Sequence, residues 1–239
     1  MTSEYPVVAL VAAAGSGSRL GGDVPKALRE LAGVPLVAHS VARLAAGGVE
    51  RVVVIVADGL QQDFEQALAA APIPWRLVVG GTERQHSVRR GLAAIEESGS
   101  AGVVLVHDAA RPMVPPAVVA EVIAAVRAGH TAVVPALPVV DSIRRIRGEA
   151  SEVVDRAPLR AVQTPQGFAY ATLLAAHDHV ARSGLEVTDD AACCEAIGEA
   201  VHVVPGSRLA MKVTEPTDMV IAEALLAAFP DQILTAHRT

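Results

Sequence analysis

Five apolar residues, 7–11, run straight into Ala12-Ala13-Ala14-Gly15-Ser16-Gly17-Ser18-Arg19-Leu20-Gly21-Gly22-Asp23-Val24-Pro25-Lys26. An unbroken apolar run of this length suits a strand covered on both faces, and such strands belong to parallel sheets flanked by helices. The turn that follows is glycine-rich and built of small residues. It lets backbone N–H groups close on phosphate oxygens, with Arg19 and Lys26 as fixed cations. The segment therefore constrains both the architecture, an α/β sheet, and the ligand class, a nucleoside triphosphate.

Two common phosphate loops do not fit. A P-loop needs a lysine directly after its second glycine, and none follows Gly21 or Gly22 at that spacing. A dinucleotide fingerprint needs a third glycine where this chain has Leu20, and its acidic partner is poorly placed, since the second strand ends near Asp58. What fits is the nucleotidyltransferase pattern Ala-Ala-Gly-x-Gly-x-Arg followed by Pro-Lys. The lysine is pointed: of 20 basic residues only Lys26 and Lys212 are lysine. A chain that otherwise uses arginine keeps a compact ammonium at two places.

Strand and helix signals alternate along the chain. Strands are expected at 7–11, 52–57, 76–79, 103–106 and 131–136. Helices are expected at 35–46, 61–71, 84–97 and 116–128. The first opens near Pro35 and stops at Gly47-Gly48. The alternation predicts a doubly wound, mostly parallel α/β sheet of Rossmann-like type, and the likeness of the first loop to the nucleotidyltransferase pattern implies the nucleotidyltransferase variant of that fold. The alternation breaks at 138–163. There two β-like runs, 142–146 and 153–155, flank Gly148-Glu149-Ala150-Ser151 and predict a hairpin whose first strand carries Arg144, Arg145 and Arg147. A lone hairpin is marginal in water, so residues 139–163 are expected to form a protruding arm that interlocks with a second subunit. Helices near 169–182 and 189–197, strands near 201–204 and 209–213, and a helix over 216–228 complete the expectation. Residues 1–229 are expected to form one domain, with 230–239 a loose tail.

Composition limits the partners. The net charge is −6, which excludes general nucleic-acid binding and confines any anion site to a local basic pocket. No apolar stretch reaches the roughly 18 residues of a membrane span, and residues 7–14 suit a first strand better than a signal peptide, as no basic segment precedes them. Cys193 and Cys194 are adjacent; neighbours rarely meet disulfide geometry, and no metal-ligand spacing is present. A reduced, cytoplasmic protein is expected.

In open α/β sheets ligands sit beyond the carboxyl ends of the strands. Chemistry-bearing residues gather there repeatedly: Gly80-Gly81-Thr82-Glu83-Arg84-Gln85-His86-Ser87, His107-Asp108-Ala109-Ala110-Arg111-Pro112, Pro138 to Ser142, Thr164-Pro165-Gln166, and Met211-Lys212-Val213-Thr214. Asp108 closes an apolar strand and is placed to hold Mg²⁺ against triphosphate oxygens. His107 is better explained as a core residue than as a general base, because a phosphate nucleophile is already ionised. Asp189 and Asp190 suit the first turn of a helix capped by Thr188. His177, Asp178 and His179 suit a solvated helix face.

In combination these motifs resemble the 2-C-methyl-D-erythritol 4-phosphate cytidylyltransferases of the non-mevalonate isoprenoid pathway, over residues 7–228. The resemblance implies transfer of a CMP group from CTP to a polyol phosphate by a magnesium-dependent homodimer joined through the β-arm. By position it implies that Ala13, Ala14, Gly15 and Gly17 cradle CTP and that Arg19 and Lys26 meet its triphosphate. It further implies that Gly81, Thr82 and Ser87 contact cytosine and ribose. Asp108, Arg111, Ser142, Arg156, Thr164 and Lys212 bind the polyol phosphate, some across the dimer, and Arg19, Lys26 and Lys212 are the catalytic cations. The chain departs from the family pattern at Ala12 (often proline), Thr82 (aspartate in some), Ser142 (threonine) and Arg144 (often lysine). Three other readings are a ribitol 5-phosphate cytidylyltransferase, a broader sugar-1-phosphate nucleotidyltransferase and a non-catalytic nucleotide sensor.

Overall fold

The computed structural model describes residues 6–15, 20–21, 24–81, 83–99 and 101–229. Gly17, Arg19, Thr82 and the tail 230–239 lie outside the described residues. After β1 (Val7–Ala12) and the glycine-rich segment of the sequence, a two-residue ladder, β2 (Glu30–Leu31) with β3 (Val34–Pro35), leads into α1 (Leu36–Ala46). The first half then alternates as expected: β4 (Arg51–Val56), α2 (Gln61–Leu68), β5 (Trp75–Val79), α3 (Arg84–Glu97), β6 (Val103–Asp108), α4 (Pro116–Arg127) and β7 (Ala132–Pro138). The hairpin follows as β8 (Ile143–Arg147) with β9 (Ala150–Val154), a separate two-stranded ladder turning at Gly148-Glu149.

Two further strands escaped the sequence reading. β10 (Arg160–Val162) and β11 (Gln166–Ala169) both pair antiparallel with β7, and β11 also with β6. At three and four residues they are too short to show a period. Between them stands a cis Thr164–Pro165 peptide. Residues 160–162, inside the segment read as arm, therefore belong to the main sheet.

That sheet runs β10-β7-β11-β6-β1-β4-β5, with β12 (Val201–Pro205) also on β7. β1 is parallel to β4 and β6, β4 to β5, and β12 to β7. The central strand β1 sends alternate residues to opposite cores, which is why its sequence is apolar throughout. Val7, Ala9 and Val11 pack with Val37, Val41, Phe64 and Val119 of α1, α2 and α4. Val8 and Leu10 pack on the other face with Val88 and Leu92 of α3 and with Leu173 of α5 (Tyr170–Ser183). Chain order reverses at β1, which has β4 on one side and β6 on the other. The crevice beyond the carboxyl ends of β1 and β6 is therefore the topological switch point where such sheets bind ligands.

The strand expected at 209–213 is instead a 3₁₀ turn, Arg208–Ala210, followed by extended chain. The Ser207 hydroxyl caps the turn by accepting the Leu209 N–H at 3.2 Å, and the Val213 N–H is spent on the Ala110 carbonyl at 2.8 Å. The cap of α6 (Asp190–Glu195) also differs. Asp189, not Thr188, is the N-cap, its carboxylate accepting the Ala192 N–H at 3.0 Å. His177, read as solvated, is buried, because α5 turns that face onto α6. Leu209 and Val213 pack with Leu31, Leu36 and Leu226 in a third core under α7 (Pro216–Ala228), so their apolar alternation reflects burial and not a sheet ladder. Among the described residues no helix is long and apolar enough to cross a membrane.

Candidate active site

A cavity of about 310 Å³ opens at the switch point, lined by the exit of β1, the turn after β5, the end of β6 and Lys212. Its first wall is backbone. The Ala13 N–H bonds the Ile55 carbonyl at 2.9 Å and the Gly80 N–H bonds the Val56 carbonyl at 2.8 Å, so the exits of β1 and β5 are both held to the end of β4, which lies between them. Gly80 is where that approach demands glycine: a Cβ there would stand 2.9 Å from Ser87 Oγ and 3.2 Å from Ala14 Cβ. The buried Ser87 hydroxyl locks the next turn, accepting the Gly81 N–H at 3.0 Å and donating to the Glu83 carbonyl at 2.9 Å. The structure thus brings Ala13, Ala14, Gly15, Gly81 and Ser87 together around one cavity.

The opposite wall is charged. Asp108 ends β6, and its Oδ2 lies 2.8 Å from Lys212 Nζ and 3.8 Å from Arg111 Nε. Burial alone would raise the Asp108 pKa; the charge and hydrogen bond of Lys212, then the charge of Arg111, outweigh it and hold the carboxyl below its usual range. Arg111 also donates to the Ala210 carbonyl at 2.7 Å, while its buried Nε has no hydrogen-bond partner. Lys212 reaches this point because the chain directly after it is anchored twice. Val213 is pinned to Ala110 as above, and the Asp218 carboxylate accepts the N–H groups of Thr214 and Glu215 at 2.7 and 2.8 Å. Lys26, at the start of a short 3₁₀ turn (Lys26–Leu28), lines the same cavity.

His107 is fully buried beside Asp108. Its burial lowers the pKa to about 4, so it is neutral near pH 7 and fits the core role expected of it. Thr164 stands 3.0 Å from its Nδ1.

One cation of the cavity was missed by sequence reasoning. Arg84, the first residue of α3, lines it and pairs with Asp190, whose side chain is fully buried. Asp190 also accepts from His177 Nε2 at 3.0 Å. Burial opposes both charges of the pair. For Arg84 the charge of Asp190 outweighs it; for Asp190 the His177 bond and the charge of Arg84 do so. The only sequence hint was the arginine of Gly-Gly-x-Glu-Arg, read as part of a motif and not as a side chain with a job. Of the residues expected at the polyol phosphate, Arg111 and Thr164 stand beside Asp108 without lining the cavity, and neither Ser142 nor Arg156 of this chain lines it. Ser142 and Arg156 stand exposed at the foot of the hairpin, where Arg156 donates to the Val140 carbonyl.

The donor set fits magnesium in one way. Among the described residues no group of three or more His, Cys, Asp or Glu side chains is arranged to hold a metal. Two carboxylate residues, Glu83 and Asp108, line the cavity, and Asp108 is the one beside Lys212, a side chain able to hold phosphate. Magnesium commonly binds through one or two carboxylates plus substrate phosphate oxygens and water, not in an all-protein cage.

Residues 7–228 match the family model described as 2-C-methyl-D-erythritol 4-phosphate cytidylyltransferase. The chain is 49% identical over 233 residues to the protein of that name from Streptomyces coelicolor, covering 92% of this chain and 84% of the relative. It is 48% identical over 225 residues to that from Nocardia farcinica, covering 92% and 94%. Among solved structures, that of the Thermus thermophilus enzyme superposes with a TM-score of 0.77 at 38% identity, covering 94% of this chain and 99% of that one. The 4-diphosphocytidyl-2C-methyl-D-erythritol synthase of Anaerococcus prevotii superposes with a TM-score of 0.81 at 25% identity, covering 93% and 96%.

Proposed function

This chain belongs to the 2-C-methyl-D-erythritol 4-phosphate cytidylyltransferase family, and from that premise we propose how its own residues carry the reaction. The enzyme transfers a cytidylyl group from CTP to 2-C-methyl-D-erythritol 4-phosphate and releases pyrophosphate. The 4-phosphate oxygen attacks the α-phosphorus of CTP in line, and the bond to the pyrophosphate oxygen breaks. Both reactants are polyanions, so repulsion is the obstacle. Positioning and charge neutralisation are the protein's task, with no proton to remove from the nucleophile.

Ala13, Ala14, Gly15 and Gly17 are assigned to binding the triphosphate, and Gly81, Thr82 and Ser87 to binding cytosine and ribose. Lys26 and Arg19 neutralise the triphosphate and the departing pyrophosphate. Lys212, released from Asp108, meets the oxygens gathered at the α-phosphorus. Asp108 would hold Mg²⁺, which when bound supplies a clamp on the triphosphate oxygens. Arg111 and Thr164, both neighbours of Asp108, serve the polyol phosphate. Ser142 and Arg156, exposed on the hairpin, reach the polyol phosphate bound by a second copy of the chain, so the working unit is a homodimer. Apolar Ile146 and Val153, 70% and 69% exposed on that hairpin, support its covering by a partner. Cys193 and Cys194 are buried free thiols with pKa values pushed up to about 12 by burial, and a reducing, cytoplasmic setting suits them.

The observation that carries this reading is the meeting of Lys212 with Asp108 at 2.8 Å in the cavity that Lys26 also lines. The test is pyrophosphate release from CTP and Mg²⁺ with each polyol phosphate in turn. Rapid release with methylerythritol 4-phosphate and little with ribitol 5-phosphate is expected; the reverse order would refute the substrate assignment.

A further inference from the structure

The turn that carries Asp108 and Arg111 is braced by two buried side chains. Inside the turn, the Arg111 N–H donates to the Asp108 carbonyl at 2.9 Å. Around it, the Asp108 N–H donates to Thr164 Oγ1 at 3.1 Å, Thr164 Oγ1 lies 3.0 Å from His107 Nδ1, and His107 Nε2 lies 3.3 Å from the Arg111 carbonyl. The directions follow from chemistry. A carbonyl only accepts, so Nε2 carries the hydrogen. In a neutral ring Nδ1 is then the acceptor, so the Thr164 hydroxyl donates to it. His107 is 0% and Thr164 7% exposed, so water does not compete for these bonds.

The two ends of the turn hold the side chains that matter most to the reading above, on which this inference rests. Asp108 and Arg111 lie 3.8 Å apart and Asp108 also pairs with Lys212. We propose that Thr164 and His107 are positioning residues, a strut from the connection between β10 and β11 through the end of β6 that sets Asp108 and Arg111 in register with Lys212. The Thr164 hydroxyl hydrogen is spent on His107, and its oxygen already accepts from Asp108. Thr164 thus acts on the polyol phosphate through the turn and not by donating to it.

The test is a double-mutant cycle on the full-length enzyme. Thr164→Val keeps the shape and removes the hydroxyl. His107→Gln keeps a donor for Arg111 and removes the acceptor for Thr164. Displacing a charged group by a fraction of an ångström to one ångström costs up to about 10²-fold, so each single variant is expected to lower kcat roughly 10- to 100-fold. The double variant should be no slower than the slower single one, because the two changes break the same strut. Thr164→Ser should recover most of the loss. Multiplicative losses would overturn the proposal, as would a Thr164→Val enzyme with normal kcat and a raised KM for the polyol phosphate alone, the mark of a direct contact. Asp108→Asn separates the two levels. If it retains kcat, the reading of the site fails; if it is inactive while the cycle is multiplicative, only the strut fails. Should the variants not fold, ¹⁵N spectra of the wild-type rings decide. A buried His107 in the Nε2–H form supports the strut, and the Nδ1–H form refutes it.

Discussion

Arg84→Met should destabilise the protein more than Asp190→Asn, although Asp190 is the more deeply buried partner. The pair is asymmetric, with side-chain exposures of 36% for Arg84 and 0% for Asp190. Removing Arg84 leaves a carboxylate in the core with only the His177 bond. Breaking one side of a buried pair costs about 3–5 kcal/mol, and the surviving His177 bond places this case near about 3. Removing the charge of Asp190 is milder. Arg84 can turn to water, and the asparagine retains an acceptor for His177, so about 1–2 kcal/mol is expected. At roughly 2–4 °C per kcal/mol for a chain of this size, Arg84→Met should lower Tm by about 6–12 °C. The double variant should sit above the sum of the singles. Urea and thermal unfolding followed by circular dichroism measure all three. The Asp190 pKa is depressed below 3.8 in the folded state, so its contribution is complete above that value and is lost as pH falls through the folded pKa. The gap between wild type and Asp190→Asn should therefore close in acid. An Arg84→Met protein within about 1 kcal/mol of wild type, or an Asp190→Asn protein less stable than it, would refute the reasoning.

The remaining predictions concern turnover and assembly. Lys26→Ala and Lys212→Ala should each lose about 10²–10³ in kcat with circular dichroism unchanged; near-normal turnover in either would remove that lysine from the transition state. Arg156→Ala should raise the KM for the polyol phosphate and leave that for CTP alone, and equal increases would undo its assignment. Ile146→Glu with Val153→Glu should shift the protein from dimer to monomer in size-exclusion chromatography, whereas a monomeric wild type would end the proposed role of the hairpin. EDTA should stop pyrophosphate release and excess Mg²⁺ restore it; full activity in EDTA would exclude the metal role of Asp108.

Much of the site was legible because its chemistry is local. The apolar run of β1, the small residues after it, and the His-Asp pair ending β6 each announce strand, turn and charge within a few positions. Period and composition also gave the hairpin, its basic first strand and the central parallel strands. What they did not give is as specific. β10 and β11 are too short to carry a period, and β11 pairs antiparallel with both β6 and β7, strands distant from it in sequence. The helical pattern of α5 was visible, but not that His177 lies on its covered face. Arg84 sat inside a recognised motif while its partner, Asp190, was read as an ordinary helix start.

The amino-acid sequence by itself determined the local elements and the charges offered at strand ends, because backbone preference and turn chemistry act over a few residues. Only the tertiary structure decided which charges meet: Lys212 with Asp108, Arg84 with Asp190 and His177, and Thr164 with His107. Those pairings join distant segments whose approach is set by core packing and sheet order, and no short window of sequence records that distance.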